Sequence, residues 1–157
     1  MQGKMRKKIL LFVLCVSGLA VVSGCDKDQV LDHYKKVIEK GGDMNLTGDK
    51  DLHGKRKFGS NKYVGNYEGT YQNFSGEEIL FGGTTVDRES GNTIHVKCDV
   101  DIRKGSAEII MQTGNEEPNI LIQDTGEYEK EIELPDASNY LSVKGDDFSG
   151  SVKIEIQ

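Results

Sequence analysis

Four aspartates form the pairs best suited to binding chemistry in this chain: Asp99 with Asp101, and Asp146 with Asp147. One residue separates Asp99 from Asp101, so both carboxylates lie on the same face if this segment is a strand. Carboxylates attract cationic partners, and they are also the oxygen ligands that Ca²⁺ requires, roughly six to eight per ion. No calcium loop of the form D-x-D-x-D-G occurs, which favours a solvated acidic surface. We predict a partner-binding surface that contains these four aspartates, and no metal site.

The other reactive side chains show no catalytic pattern. The histidines His33, His53 and His95 are far apart, and none has the spacing to another ligand that a zinc site needs. The hydrolase motif Gly-x-Ser-x-Gly is missing, and no Ser, His and acid grouping can be named from the sequence. The sequence does not decide whether a glycosidase-type pair of carboxylates is present, because the distance between the two carboxylates depends on the fold. The sequence therefore predicts no catalytic residue and no cofactor.

A row of tyrosines offers a second kind of binding chemistry. Tyr63, Tyr67 and Tyr71 alternate with Gly65 and Gly69 on one face of a predicted strand. Tyrosine rings can stack on sugars, but the opposite face of this strand is mostly polar, which makes the tyrosine face the inward one. The chain has no tryptophan, the best residue for a flat sugar platform. We expect these tyrosines to be buried.

The first 24 residues have the composition of an export signal. Basic residues are concentrated in the first eight positions, and an apolar run follows from Ile9 to Val22. This run spans fourteen residues, fewer than the roughly 20 that a membrane-spanning helix needs. It closes on the sequence Val22-Ser23-Gly24-Cys25.

That closing sequence resembles the lipobox of bacterial lipoproteins, in which a branched apolar residue and two small residues precede a cysteine. The resemblance implies that cleavage after Gly24 removes residues 1–24 and that Cys25 carries a thioether-linked diacylglycerol. Two or more acyl chains hold a protein stably on a bilayer, whereas one chain binds only weakly. We therefore expect an anchor on Cys25 and a location on the extracytoplasmic face of the cell membrane. The alternative is an ordinary signal peptide or short anchor, with Cys25 a structural cysteine.

Charge and cysteine content narrow the class of protein further. The chain has 20 basic and 26 acidic residues, and four of the basic ones precede residue 25, so the mature chain has a formal charge of −10. This charge repels phosphates and argues against a nucleic-acid partner. Beyond Cys25 the mature chain retains Cys98 alone, so no internal disulfide can form and hydrophobic burial must stabilise the fold. Cys98 lies on an apolar strand face, and we expect a buried, inert thiol.

Residues 25–62 are predicted to contain the lipidated N-terminus, a short helix and a tether. Between residues 26 and 40 the apolar positions recur at helical spacing, and Gly41-Gly42 ends the pattern. A helix of this length is marginal alone, so it frays, docks on the folded domain, or binds a partner or membrane surface. Residues 41–62 are rich in glycine and polar side chains, which is typical of a flexible tether, and the basic cluster Lys55, Arg56 and Lys57 is expected to be solvated.

From Tyr63 onward the apolar period changes to two. Ile94, Val96, Cys98, Val100 and Ile102 alternate with polar residues and form the strongest strand signal. No helical pattern intervenes, and turn signals such as Ser75-Gly76, Lys104-Gly105-Ser106 and Asp146-Asp147 separate the segments. Residues 63–157 are therefore predicted to be an all-β domain, an antiparallel β-sandwich or jelly roll of about eight strands. The other strand segments are Tyr63–Asn73, Glu77–Val86, Ala107–Gln112, Asn119–Gln123, Tyr128–Leu134, Tyr140–Lys144 and Ser151–Gln157.

The hydrophobic spacing of Gly126–Gln157 resembles the closing strands of small sandwich modules on secreted bacterial proteins. Many of these modules are carbohydrate-binding or accessory domains. The resemblance implies a fold and says little about the ligand.

These features predict a lipid-anchored cell-surface module that binds a peptide, a wall glycan or an envelope protein and has no catalytic activity. Immunity lipoproteins that intercept antimicrobial peptides have the same plan of a lipobox and one small domain, and an acidic surface attracts cationic peptides. One alternative is a small surface hydrolase acting on wall polymers, which would show convergent carboxylates or a histidine–acid pair. Another is a structural subunit of an envelope complex, which would expose a large apolar patch.

Overall fold

A computed structural model of the chain describes residues 44–84 and 91–157. The predicted signal peptide with Gly24 and Cys25, and the helix predicted over residues 26–40, lie outside the described residues. Among the described residues, no helix is long and apolar enough to cross a membrane.

Six strands form one antiparallel sheet: β1 (Gly54–Phe58), β2 (Gly65–Gly83), β3 (Thr93–Thr113), β4 (Asn119–Ile122), β5 (Gly126–Glu133) and β6 (Asn139–Ile156). Their order is β1, β2, β6, β3, and the far side of β3 pairs with β5 along its first half and with β4 along its second. The prediction of an all-β antiparallel fold is confirmed.

The described residues form six strands where eight were expected: three pairs of predicted segments join into the long strands β2, β3 and β6, which leaves five, and β1, which was not predicted, is the sixth. The predicted turns at Ser75-Gly76 and Lys104-Gly105-Ser106 coincide with register shifts in continuous strands. The third predicted turn, Asp146-Asp147, also lies within a strand, and Asp147 has a φ of 49°. A bulge inserts an extra residue and bends the strand without ending it. Turn-forming residues therefore bend this sheet.

Side chains from both ends of the long strands share one hydrophobic core. It includes Val96 and Ile154 from one end and Ile109 and Val143 from the other, all of them 3 % exposed or less. The inward direction predicted for the Ile94–Ile102 alternation is confirmed, because four of its five apolar residues are buried and Ile102 is half-buried. Side chains alternate across a strand, so this direction follows from the period alone.

The segment expected to be a tether contributes to the sheet. Gly54–Phe58 forms the edge strand β1 and pairs with Gly65–Gly69 of β2. Before β1, Thr47 donates its backbone N–H to the carbonyl of Ile79 and accepts the N–H of Ile79 through Oγ1, both at 2.9 Å. The prediction of a flexible tether is therefore wrong for these residues. Sequence reasoning missed β1 because its central inward residue is Arg56, which hides the usual apolar alternation.

Candidate functional site

The structure separates the four aspartates that were predicted to form one surface. Asp99 lies on the exposed face of β3 opposite Lys153 of β6, and Asp101 lies two residues further along, 3.7 Å from Arg103. Asp146 and Asp147 lie at the bend of β6, where an oxygen of Asp147 is 3.0 Å from Nζ of Lys104. All four are exposed. They do not form one acidic cluster, and the described residues contain no group of three or more possible metal ligands.

Asp99 instead belongs to a row of charged side chains that crosses the sheet. Strand register aligns one residue from each of five strands, and the charges run positive, negative, positive, negative, negative. We name it the first row: Lys55, Glu68, Lys153, Asp99 and Glu127. A second row lies beside it, two residues along each strand: Lys57, Asn66, Glu155, Lys97 and Glu129.

An open groove of about 430 Å³ lies over the two rows. Nine of the ten row residues line it, Glu129 being the exception, and its floor includes Arg56, Tyr67 and Ile154 from the intervening positions. We call this depression the charged groove. It touches every strand except β4, so it runs across the strands and not along them. Sequence reasoning missed it because the row residues are scattered over a hundred positions, and only the register brings them together.

Most charges in the middle of the charged groove are paired within the protein; Glu155 makes no ion pair with the described side chains there but accepts a hydrogen bond from Nε2 of Gln157 at 2.6 Å. Nζ of Lys153 lies 3.4 Å from Oε1 of Glu68, and Nζ of Lys97 lies 3.7 Å from Oε2 of Glu129. The two ends differ. None of the ion pairs within residues 44–84 and 91–157 involves Lys55 or Lys57 at the β1 end.

The far end of the groove carries two acids that form no ion pair among the described residues. Asp99 and Glu127 take part in none of the ion pairs formed by the described side chains. They are direct cross-strand neighbours on β3 and β5. Like charges in this position destabilise a sheet. On its other side Asp99 is the cross-strand neighbour of Lys153, so Glu127 is the acid with the least compensation. The groove therefore has a positive end and a negative end.

A second polar cluster lies inside the fold, around the carboxylate of Glu78. This side chain is 3 % exposed. Its Oε2 accepts hydrogen bonds from the hydroxyls of Tyr67 at 3.0 Å and Tyr71 at 2.7 Å. Its Oε1 accepts the backbone N–H of His53 at 2.8 Å and lies 2.6 Å from His53 Nδ1. A buried carboxylate is costly unless its lone pairs are used, and here both oxygens have two partners.

The tyrosines of this cluster are held in the neutral form. Burial raises the pKa of Tyr71 and of Tyr67, and the adjacent Glu78 carboxylate raises both further. Both rings are 1 % exposed. The prediction that the tyrosine row is inward is therefore confirmed, and these rings cannot stack on a sugar. The expected burial of Cys98 is confirmed as well, and desolvation raises its pKa to about 12.

His53 is the one exposed member of the Glu78 cluster. Its side chain is 42 % exposed, and its ring stacks on Tyr71 with the centroids 5.3 Å apart. A carboxylate that holds Nδ1 orients an imidazole as it does in many hydrolases. No hydroxyl or thiol within the described ranges hydrogen-bonds to this imidazole, and His53 does not line the charged groove. The arrangement can therefore anchor a segment or move a proton, but it contains no paired nucleophile.

Buried Arg56 completes the attachment of the residues before β1. Its side chain is 4 % exposed, and its guanidinium donates to the carbonyl of Leu80 at 3.0 Å, to the carbonyl of Thr47 at 2.7 Å and to a carboxylate oxygen of Asp49 at 2.6 Å. A buried cation needs such partners to repay its desolvation. Arg56 was expected to be solvated, and this expectation is wrong.

Comparison with known proteins supplies no further assignment: no protein-family model, no curated protein and no solved structure matches this chain.

Proposed function

We propose that this protein is a membrane-anchored, extracytoplasmic binding lipoprotein whose β-domain holds a charged, extended partner in the charged groove. The lipobox resemblance supports the anchor on Cys25, and the abrupt change to polar sequence after it supports a domain outside the membrane. The bends in β2, β3 and β6 support a sandwich-like arrangement in which both ends of the sheet enclose the core.

The observation that carries the proposal is the groove itself. It is open, crosses five strands and is lined by four lysines and four acids, so it offers complementary charge to a partner of either sign at different positions. Charged surfaces of this kind increase the association rate and select partners more than they raise affinity. A polyanion such as nucleic acid would meet the four acids and a net acidic chain.

A site-specific photocrosslinking experiment tests the proposal in intact cells. A photoreactive residue in place of Asn66, which lies between Lys57 and Glu155 in the second row, should capture a partner on illumination. The same residue in place of Asp124, which is exposed and lies outside the groove, is the matched control. Capture that is equal at both positions, or absent at Asn66, would argue against the groove as the binding surface.

A second candidate function, hydrolysis of wall polymers, has one observation in its favour. The half-exposed imidazole of His53 is oriented by the buried carboxylate of Glu78. Substitution of His53 by Phe keeps a ring on Tyr71 and removes the proton carrier. If the purified protein cleaves a wall polymer and His53→Phe abolishes that cleavage without loss of folding, the hydrolase function is correct.

The remaining alternative, a structural subunit of an envelope complex, would require a large exposed apolar patch. Among the described large hydrophobic residues, Ile120 is the exposed one, at 41 %, so no observation favours this alternative.

A further inference from the structure

We infer that the charged groove selects a peptide with segregated charges, whose acidic end lies over Lys55 and Lys57 and whose basic end lies over Asp99 and Glu127. The inference rests on the proposed function and specifies the partner of the same groove. Five charged row residues make no ion pair among the described side chains: the two end pairs, and Glu155, which accepts a hydrogen bond from Nε2 of Gln157. Lys153 and Lys97 at the centre are already paired. An incoming partner gains most at the two ends.

The negative end of the groove gives the strongest reason to expect a cationic group. Asp99 and Glu127 are directly opposite each other on β3 and β5. Like charges repel in this position, and the flanking Lys153 lies beside Asp99 but not beside Glu127, so a ligand cation near Glu127 offsets the repulsion. Lys55 and Lys57 lie on the same face of β1, with one residue between them, and give the other end a positive charge that forms no ion pair among the described side chains.

Strand spacing sets the length of the partner. Neighbouring strands lie roughly 4.8 Å apart, so the distance from β1 to β3 is about 14 Å and that from β1 to β5 is about 19 Å. An extended chain advances about 3.4 Å per residue. The acidic and basic groups of the partner should therefore be separated by about four to six residues. A peptide fits this description better than a neutral glycan, which would leave the end charges without partners.

Four capped peptides of equal length test the inference by calorimetry at low salt. The first has two glutamates, a spacer of about four small residues and two lysines, and the second has the same composition with the charges intermixed. The others carry four lysines or four glutamates. Acetylated and amidated ends remove the terminal charges. We expect the segregated peptide to bind about tenfold more tightly than the intermixed one, because only it can satisfy both ends at once.

Charge reversal of the protein supplies the decisive comparison. The double variants Lys55→Glu with Lys57→Glu, and Asp99→Lys with Glu127→Lys, should each weaken binding of the segregated peptide about tenfold. The variant with all four changes should bind it again, because the same peptide fits an inverted groove in the opposite direction. The matched control for the Asp99 and Glu127 variant is Glu131→Lys with Glu133→Lys, which also turns two acids into two lysines, but on the exposed face of β5 outside the groove, and should bind normally.

The outcomes separate the two levels of the proposal. Equal affinity for the segregated and intermixed peptides, or no recovery in the fourfold variant, overturns the selection of segregated charge while the groove remains a binding surface. Binding of a neutral glycan in preference to every peptide overturns it in the same way. Failure of the proposed function is a different result: no capture at Asn66 in cells.

Discussion

Nδ1 of His53 lies 2.6 Å from Oε1 of the buried Glu78, and this contact fastens the residues before β1 to the second half of β2. Arg56 reinforces the attachment through Leu80 and Thr47. His53 thus binds a carboxylate 25 positions away, and Arg56 and Thr47 bind the backbone of the residues that follow Glu78. The beginning of the domain therefore lies before β1, although the period-two apolar pattern starts only at Tyr63.

The first prediction concerns this boundary. A chain that starts at residue 63 lacks His53 and Arg56 and leaves Glu78 with its two tyrosines alone, so it should be several kcal/mol less stable than a chain of residues 40–157. Residues Lys40–Gln157 form one compact unit, which makes that longer chain the reference. Urea denaturation of both measures the difference. Equal midpoints would show that the attachment contributes nothing.

The second prediction concerns the carboxylate itself. Glu78→Gln keeps the size of the side chain but places an amide NH₂ among hydroxyl and N–H donors, so at least one buried group loses its partner. We expect a loss of about 1 to 3 kcal/mol in the free energy of unfolding. The matched control Glu131→Gln makes the same chemical change at an exposed position of β5 and should cost less than about 0.5 kcal/mol. A similar loss in both variants would contradict the role of Glu78.

The third prediction is a fall in stability at alkaline pH. Burial raises the pKa of Cys98 from 9.0 to about 12, so above pH 9 the unfolded chain releases the thiol proton while the folded chain retains it. The unfolded state then binds fewer protons, and stability decreases with rising pH, by about 1.4 kcal/mol per unit for this group. The buried tyrosines, whose pKa is also raised, add to the decrease above pH 10.

Cys98→Ala isolates the contribution of the thiol. The variant should be about 1 to 3 kcal/mol less stable at neutral pH because it trims a buried side chain. Between pH 9 and 10 its stability should decline less steeply than that of the unchanged protein. Denaturant unfolding at several pH values measures both slopes. Parallel slopes, or rapid labelling of the native thiol by a bulky reagent, would contradict burial of Cys98.

The fourth prediction concerns the membrane anchor. Cys25→Ser removes the thiol to which the diacylglycerol would be attached, so the protein should retain its signal segment and carry no acyl chain. Mass spectrometry of the protein from fractionated cells measures both. Cys15→Ser, within the apolar run of the predicted signal, is the matched control and should remain anchored. A processed, acylated Cys25→Ser protein would disprove the lipoprotein assignment.

Sequence periodicity predicted much of the core correctly. The alternation around Cys98 and the tyrosine row at Tyr63, Tyr67 and Tyr71 both identified inward side chains, because alternation is a local property of any strand. The sequence could not distinguish a turn from a bulge at Ser75-Gly76 or at Gly105. The same residues suit both structures, and the choice depends on whether a neighbouring strand continues to pair beyond them.

What the sequence determined by itself is therefore which faces of the strands are apolar and that the domain is all-β. The tertiary structure decided the meeting of His53 with Glu78 and the alignment of Lys55 with Asp99 in one row. Both depend on strand register, and register is set by pairing between segments distant in the chain, because a slip of one residue would move every side chain to the opposite face.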